Sequence, residues 1–139
     1  MIGKSIGEIS IGEKASFTKT ITESDVYNFA GVTGDLNPAH VNEEYAKKTV
    51  FKKRIAHGML VSGLISTVLA IKLPGPGTIY LNQNLSFKAP VYFGDTITAE
   101  VEVIEKDEDK NRLKLKTICK NQEGKVVVDG EALVLPPKA

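Results

Sequence analysis

The chain has 139 residues, 42% of them hydrophobic and 25% charged, with a formal net charge of +1; this is the size and composition of one globular domain, 1–139, and excludes a disordered tail. The balanced charge predicts no nucleic-acid partner, and the longest apolar stretch, Gly58 to Leu73, is broken by Ser62, Ser66, Thr67 and Lys72 and falls short of the roughly 18 residues that read as a membrane span. Cys119 is the single cysteine and has no disulfide partner, and no apolar run follows Met1 to Lys4 as a secretory signal requires, so a cytoplasmic location is expected.

In chain order, Ala15 to Ile21 alternates as a short strand does. Thr22-Glu23-Ser24-Asp25 then opens a helix, with Thr22 as cap, Asp25 at the third helical position, and Val26, Phe29 and Ala30 as its apolar face. From Gly31 to Ala56 there is no sustained period, only a loop marked by Gly, Asn and Pro, a short helix expected at Asn42 to Lys48, and a basic stretch. Irregular stretches of this length are uncommon inside a domain and usually functional.

Gly58 to Leu73 is apolar on nearly all sides, so the expectation is a helix enclosed by protein, ending at Pro74-Gly75-Pro76-Gly77. Strand-like segments follow near 78–88, 95–106, 111–120 and 125–135. Ile79, Leu81, Leu85 and Phe87 are predicted to share one face, as are Ile97, Ala99, Val101 and Val103, and Val126, Val128, Ala132 and Val134. The short turns between most of them require antiparallel neighbours. The fold class is therefore α+β, about five antiparallel strands curling around one long central helix.

Asp35 and His40 stand five apart in Gly34-Asp35-Leu36-Asn37-Pro38-Ala39-His40. That spacing diverges on a helix or a strand, so only irregular backbone brings them together, and Asn37-Pro38 supplies it by restricting two successive residues. A carboxylate and an imidazole together can orient one water, deprotonate it and return its proton elsewhere. The plainer reading is a turn-forming Asp and a structural His. Ala56-His57-Gly58-Met59 strengthens the catalytic one, because a buried helix starting there offers unpaired N–H groups and its positive end to a carbonyl oxygen that becomes negative. Gly58 would let a substrate approach the backbone closely.

His57 reads as a structural residue at that helix start. Asp35, His40 and His57 have no recognisable metal-ligand spacing, so no metal is expected. Ser62 and Ser66 lie one turn apart on one helix face, where a hydroxyl either bonds back to the preceding turn or reaches a ligand. Cys119 alternates in phase with Leu113 and Leu115 and belongs to the core, which removes the candidate for an acyl-enzyme. Lys47, Lys48, Lys52, Lys53, Arg54 and Lys88 form a mainly solvated basic face that could meet the phosphates of a carrier group. No P-loop or dinucleotide fingerprint is present, so no nucleotide cofactor is implied.

These motifs, with Ser86-Phe87-Lys88-Ala89-Pro90-Val91 and the run to Val103, stand in the order and spacing of the MaoC-like, (R)-specific 2-enoyl-CoA hydratases, which the chain resembles over nearly its whole length. The resemblance implies a hot-dog fold, a homodimer or assembly of dimers, and an acyl-CoA substrate with no metal or redox cofactor. It implies Asp35 and His40 as the catalytic pair, the Gly58 N–H as thioester-carbonyl donor, Ser66 and Ser62 as site-lining residues, and Asn37 as support. Leu64, Val68 and Leu69 are the expected acyl-pocket residues and Lys88 the expected CoA phosphate contact. An acyl-CoA thioesterase, an acyl-carrier-protein dehydratase and a non-catalytic acyl-thioester-binding module are the alternatives on this fold.

Overall fold

The alternation of Ile97, Ala99, Val101 and Val103 with Thr98, Glu100 and Glu102 gives β3, Thr96–Asp107, one completely buried face. In the computed structural model, which describes residues 1–139, β3 pairs antiparallel with β1, Lys14–Thr20, on one side and with β4, Arg112–Lys120, on the other. β4 pairs with β5, Val126–Leu135, and β5 with β2, Ile79–Phe87, so one antiparallel sheet runs β1-β3-β4-β5-β2. The expected strands form within a residue or two of their predicted ends.

Against this sheet lies α4, Gly58–Ile71, which packs on β1, β3, β4 and β5. Val61, Leu64, Ile65, Val68 and Leu69 join the sheet residues in one core of 22 buried side chains. The layout is the hot-dog arrangement, a sheet around one long helix.

Enclosure of α4 is nevertheless one-sided. Met59, Gly63, Ser66 and Ala70, spaced four, three and four apart, form a single helix face that is exposed. The helix is apolar all round, but this chain covers only the side facing the sheet. The prediction for β2 also changes: Leu81 is an extra residue between the pairs Tyr80–Val134 and Asn82–Leu133. A bulge on an edge strand re-aims the side chains beyond it. Ile79 thereby falls on the opposite face from Leu85 and Phe87, which pair beside the core residue Val128, and Ile79, Leu81 and Phe87 are all exposed on this edge strand instead of sharing a buried face. A second bulge, at Val127 opposite Cys119 and Lys120, buries that residue completely and leaves Val126 only half-buried.

The segments that carry the site hang between β1 and α4. α1, Glu23–Thr33, starts at a reciprocal cap in which Thr22 Oγ1 accepts the Asp25 N–H at 3.1 Å and Asp25 Oδ2 accepts the Thr22 N–H at 2.9 Å. It ends at Gly34, whose φ of 82° suits a residue without a side chain. Two four-residue helices follow, α2, Pro38–Val41, and α3, Glu43–Ala46. The helix expected at Asn42 to Lys48 is thus shorter, with Asn42 acting as its cap through the Tyr45 N–H at 3.0 Å. No helix is long and apolar enough to cross a membrane.

Asp25 also accepts a hydrogen bond from the Lys19 ammonium at 2.8 Å; that bond first, and the Thr22 amide second, hold its carboxyl below the usual carboxylate range. A lowered folded value means stabilisation that is complete above the unfolded value and is lost as pH falls through the folded one. Thermal melts of the wild type and Asp25→Asn should differ most at neutral pH, with the gap closing as pH drops below about 4; a gap constant from pH 7 to pH 3 would contradict the charge-based cap.

Candidate active site

Asp35 and His40 are brought together by a chain of local bonds. Thr33 Oγ1 donates to the Phe29 carbonyl at 2.8 Å and accepts the Asp35 N–H at 3.1 Å, so the end of α1 sets where the loop leaves. Asp35 Oδ1 accepts the Asn37 N–H at 3.3 Å, and Asn37 Oδ1 caps α2 by accepting the Ala39 N–H at 3.0 Å. Pro38 occupies the first turn of α2, where its missing N–H costs nothing. His40 therefore sits on a short helix directly after the loop, and irregular backbone is needed only from Gly34 to Asn37.

His40 is 9% exposed, and its Nδ1 lies 2.6 Å from the Ile55 carbonyl oxygen. A carbonyl can only accept, so Nδ1 carries the proton and the neutral ring keeps its lone pair on Nε2. The same logic fixes His57, whose Nε2 donates to the Asp35 carbonyl at 2.9 Å. Its Nδ1 is buried with no partner, and the ring, 2% exposed, stacks on His40 at 3.8 Å and tilts against Phe29 at 4.7 Å. His57 is thus a buried strut that holds the Asp35 backbone and the flat face of His40.

The ligand-capable atoms of Asp35, His40 and His57 lie within 4.8 Å of one another. The two rings are nonetheless stacked with only 29° between their planes. A metal ion sits in the plane of each imidazole about 2.0–2.1 Å from nitrogen. Nearly parallel stacked rings cannot both aim at one such point without turning, so this cluster does not fit a shared ion.

Asp35, His40, His57, Gly58 and Lys88 border one cavity of about 470 Å³, walled by apolar residues including Val61, Val91 and Val128. The start of α4 supplies its polar end, since the first amides of a helix have no acceptor within it. Other expected residues lie elsewhere. Leu64, Val68 and Leu69 are buried in the core and do not border this cavity, because their side of α4 faces the sheet. Ser62 donates back to the Gly58 carbonyl at 2.8 Å, and with the exposed Ser66 it lines a separate groove between α4 and β2. Burial pushes the Cys119 thiol up to about 12, consistent with a core position. Of the basic face, Lys47 pairs with Glu44, Arg54 with Glu23 and Glu43, and Lys53 lies over the Tyr92 ring.

Two features had no sequence signal. The Ile55 carbonyl is a backbone atom and leaves no trace in residue type. The packing of Phe87 on Gly58 is the other, although Phe87 itself stands in the sequence motif: a Cβ on Gly58 would lie 2.5 Å from its ring, so the missing side chain at Gly58 is filled by an aromatic wall rather than left open for substrate.

Taken together, an ionisable carboxylate, an imidazole with a bare Nε2 and a helix N-terminus facing one apolar cavity define a hot-dog domain equipped for acid/base chemistry beside a polarised carbonyl. The chain belongs to the MaoC-like family, the MaoC like domain matching residues 8–125. It is 57% identical over 130 residues to an (R)-specific enoyl-CoA hydratase of Rhodospirillum rubrum, covering 94% of this chain and 90% of that one. It is 46% identical over 131 residues to a 3-hydroxybutyryl-CoA dehydratase of Methylorubrum extorquens, covering 94% and 83%. The structure of the R-hydratase PhaJ1 from Pseudomonas aeruginosa in the unliganded form superposes with a TM-score of 0.93 at 50% identity, covering 99% of this chain and 88% of that one.

Gly58→Ala should cost about 1–3 kcal/mol of stability by forcing the Phe87 ring aside, and Phe87→Leu in the same chain should recover most of it. Denaturant unfolding of both single variants and the double variant checks this, and strictly additive losses would count against the clash.

Proposed function

We propose that this chain is an (R)-specific 2-enoyl-CoA hydratase, a hydro-lyase that adds water reversibly to a trans-2-enoyl-CoA. The observation that carries this reading is the bare Nε2 of His40 beside the Asp35 carboxylate, on the wall of an apolar cavity that the adjoining N-terminus of α4 also borders. One water held between Asp35 and His40 gives up a proton as its oxygen bonds to the β-carbon. The electrons of the double bond move onto the thioester oxygen, where the Gly58 N–H and the positive end of α4 stabilise the enolate. A proton then bonds to the α-carbon, completing addition of one H and one OH. No metal or redox cofactor is called on.

Lys88, exposed at the cavity rim, is the proposed contact for a CoA phosphate. The acyl chain is proposed to run along Val61, Val91 and Val128 in place of the core residues Leu64, Val68 and Leu69. Hydrolysis is the competing outcome on this fold, but Cys119 is buried with its thiol pushed up to about 12 and supplies no nucleophile. Asp35→Asn and His40→Ala should each lower hydration of crotonyl-CoA by about 10²- to 10⁴-fold with the fold intact. Loss of enoyl absorbance without release of free thiol identifies hydration; thiol release, or near-normal rates in both variants, would sink the assignment.

The active unit is proposed to be a cytoplasmic homodimer. Support comes from the uncovered stripe Met59, Gly63, Ser66 and Ala70 and from the exposed apolar residues Ile79 and Leu81 on the adjacent edge strand. Apolar faces of this kind are covered in stable assemblies. The groove lined by Ser62 and Ser66 lies between these two surfaces, so the serines would act at the interface. Sedimentation should give about twice the 15.1 kDa chain mass, and Gly63→Arg should shift it to a single chain; a wild type that sediments as one chain would contradict the dimer.

A further inference from the structure

Arg54 has more partners than any other charged side chain in the molecule. Its Nε donates to Glu43 at 3.0 Å, one terminal nitrogen to the Tyr27 hydroxyl at 2.6 Å, and the other to Glu23. The guanidinium also lies 4.8 Å from the centre of the Phe93 ring and 5.8 Å from that of Tyr27. Only 14% of the side chain is exposed, whereas Glu23 and Glu43 are about half exposed. These partners belong to three separate parts of the fold: the first turns of α1, the first residue of α3, and the loop between β2 and β3.

What Arg54 carries is the backbone beside it. The next residue, Ile55, donates its N–H to the Ala39 carbonyl at 3.2 Å and offers its own carbonyl to His40 Nδ1 at 2.6 Å. Ala56 donates to the Val91 carbonyl at 2.8 Å. Ile55 therefore grips residues 39 and 40 with the peptide groups on both sides of its Cα, and the side chain that anchors this segment against α1 and α3 is Arg54. A guanidinium suits the task because its planar fork serves three acceptors in three directions, which an ammonium on a flexible stem does not reproduce.

We propose that Arg54 is a positioning residue for the reaction: by anchoring the peptide of Ile55 it holds His40 in the Nδ1-protonated tautomer and so keeps the bare Nε2 directed at the water. The role is indirect, since Arg54 does not border the cavity. It rests on the reading of His40 as the proton-handling group. The basic residues nearest the site thus divide by task, Arg54 ordering the protein and Lys88 facing the cavity.

The chain has only two histidines, so imidazole ¹⁵N spectra of protein labelled at histidine contain two residues, with His40 assigned by its loss in His40→Gln. Above the imidazole titration the wild type should show His40 protonated at Nδ1 and bare at Nε2, and His57 with the opposite pattern. In Arg54→Lys, His40 should lose its single tautomer while His57 keeps its own. The kcat for crotonyl-CoA hydration should fall about 10- to 100-fold with KM changed far less. Should Arg54→Lys fail to fold, the pair Tyr27→Phe with Glu43→Gln removes two of the three anchors and is expected to shift the same signals in the same direction. A folded variant with an unchanged His40 tautomer and unchanged kcat overturns the proposal and leaves the hydratase reading standing. Tautomer loss in a protein whose wild type does not hydrate enoyl thioesters supports the positioning role and overturns the hydratase reading instead.

Discussion

The site depends on one hydrogen bond, from His40 Nδ1 to the Ile55 carbonyl. An imidazole that is free to turn offers water a mixture of tautomers and orientations. A carbonyl at 2.6 Å removes that freedom because it can only accept. Many acid/base sites use a carboxylate for this purpose, which also stabilises the imidazolium. A neutral backbone acceptor orients the ring with a weaker pull on its basicity, and it leaves the one nearby carboxylate, Asp35, free of the imidazole Nδ1 and available for the proposed role on the water. His57 completes the restraint by holding the Asp35 carbonyl and stacking on the His40 ring.

The restraint is only as firm as the backbone that provides it, and that backbone is tied to the core. Ile55 lies three residues before α4, whose buried face packs into the main hydrophobic cluster. The helix thereby joins two functions. Its core-facing side chains hold it in place, and the same placement sets its N-terminus against the cavity, where the proposed reaction develops an enolate. Preorganised donors in an apolar enclosure are worth more than in water because they do not have to reorient as charge appears. A core substitution that tilted α4 would therefore reach the chemistry without touching the substrate.

Much of this was legible from residue type and spacing. Period-two alternation located β3, β4 and β5, turn residues located their ends, and the apolar run closed by Pro74 located α4. Asp35 and His40 stood out because only irregular backbone could join them. The misplacements have physical causes. Whether an apolar helix is enclosed by its own chain or by another is not a property of its sequence, so the exposed Met59 and Ser66 stripe has no signature there. Leu64, Val68 and Leu69 satisfy a core helix and an acyl pocket equally well in composition. The bulge at Leu81 re-aims β2 and arises from pairing with a strand about fifty residues away. Ile55 and Arg54 act through a carbonyl and a set of long-range anchors, neither of which has a local signature.

The central claim is that one water, held on one side of the substrate by Asp35 and His40, supplies both the hydroxyl and the proton. Hydration of crotonyl-CoA in ²H₂O, with the product read by NMR and chiral analysis, tests it most directly. The expected product is (R)-3-hydroxybutyryl-CoA with a single deuterium at the α-carbon on the same face as the hydroxyl. Deuterium on the opposite face, or distributed over both, would contradict it.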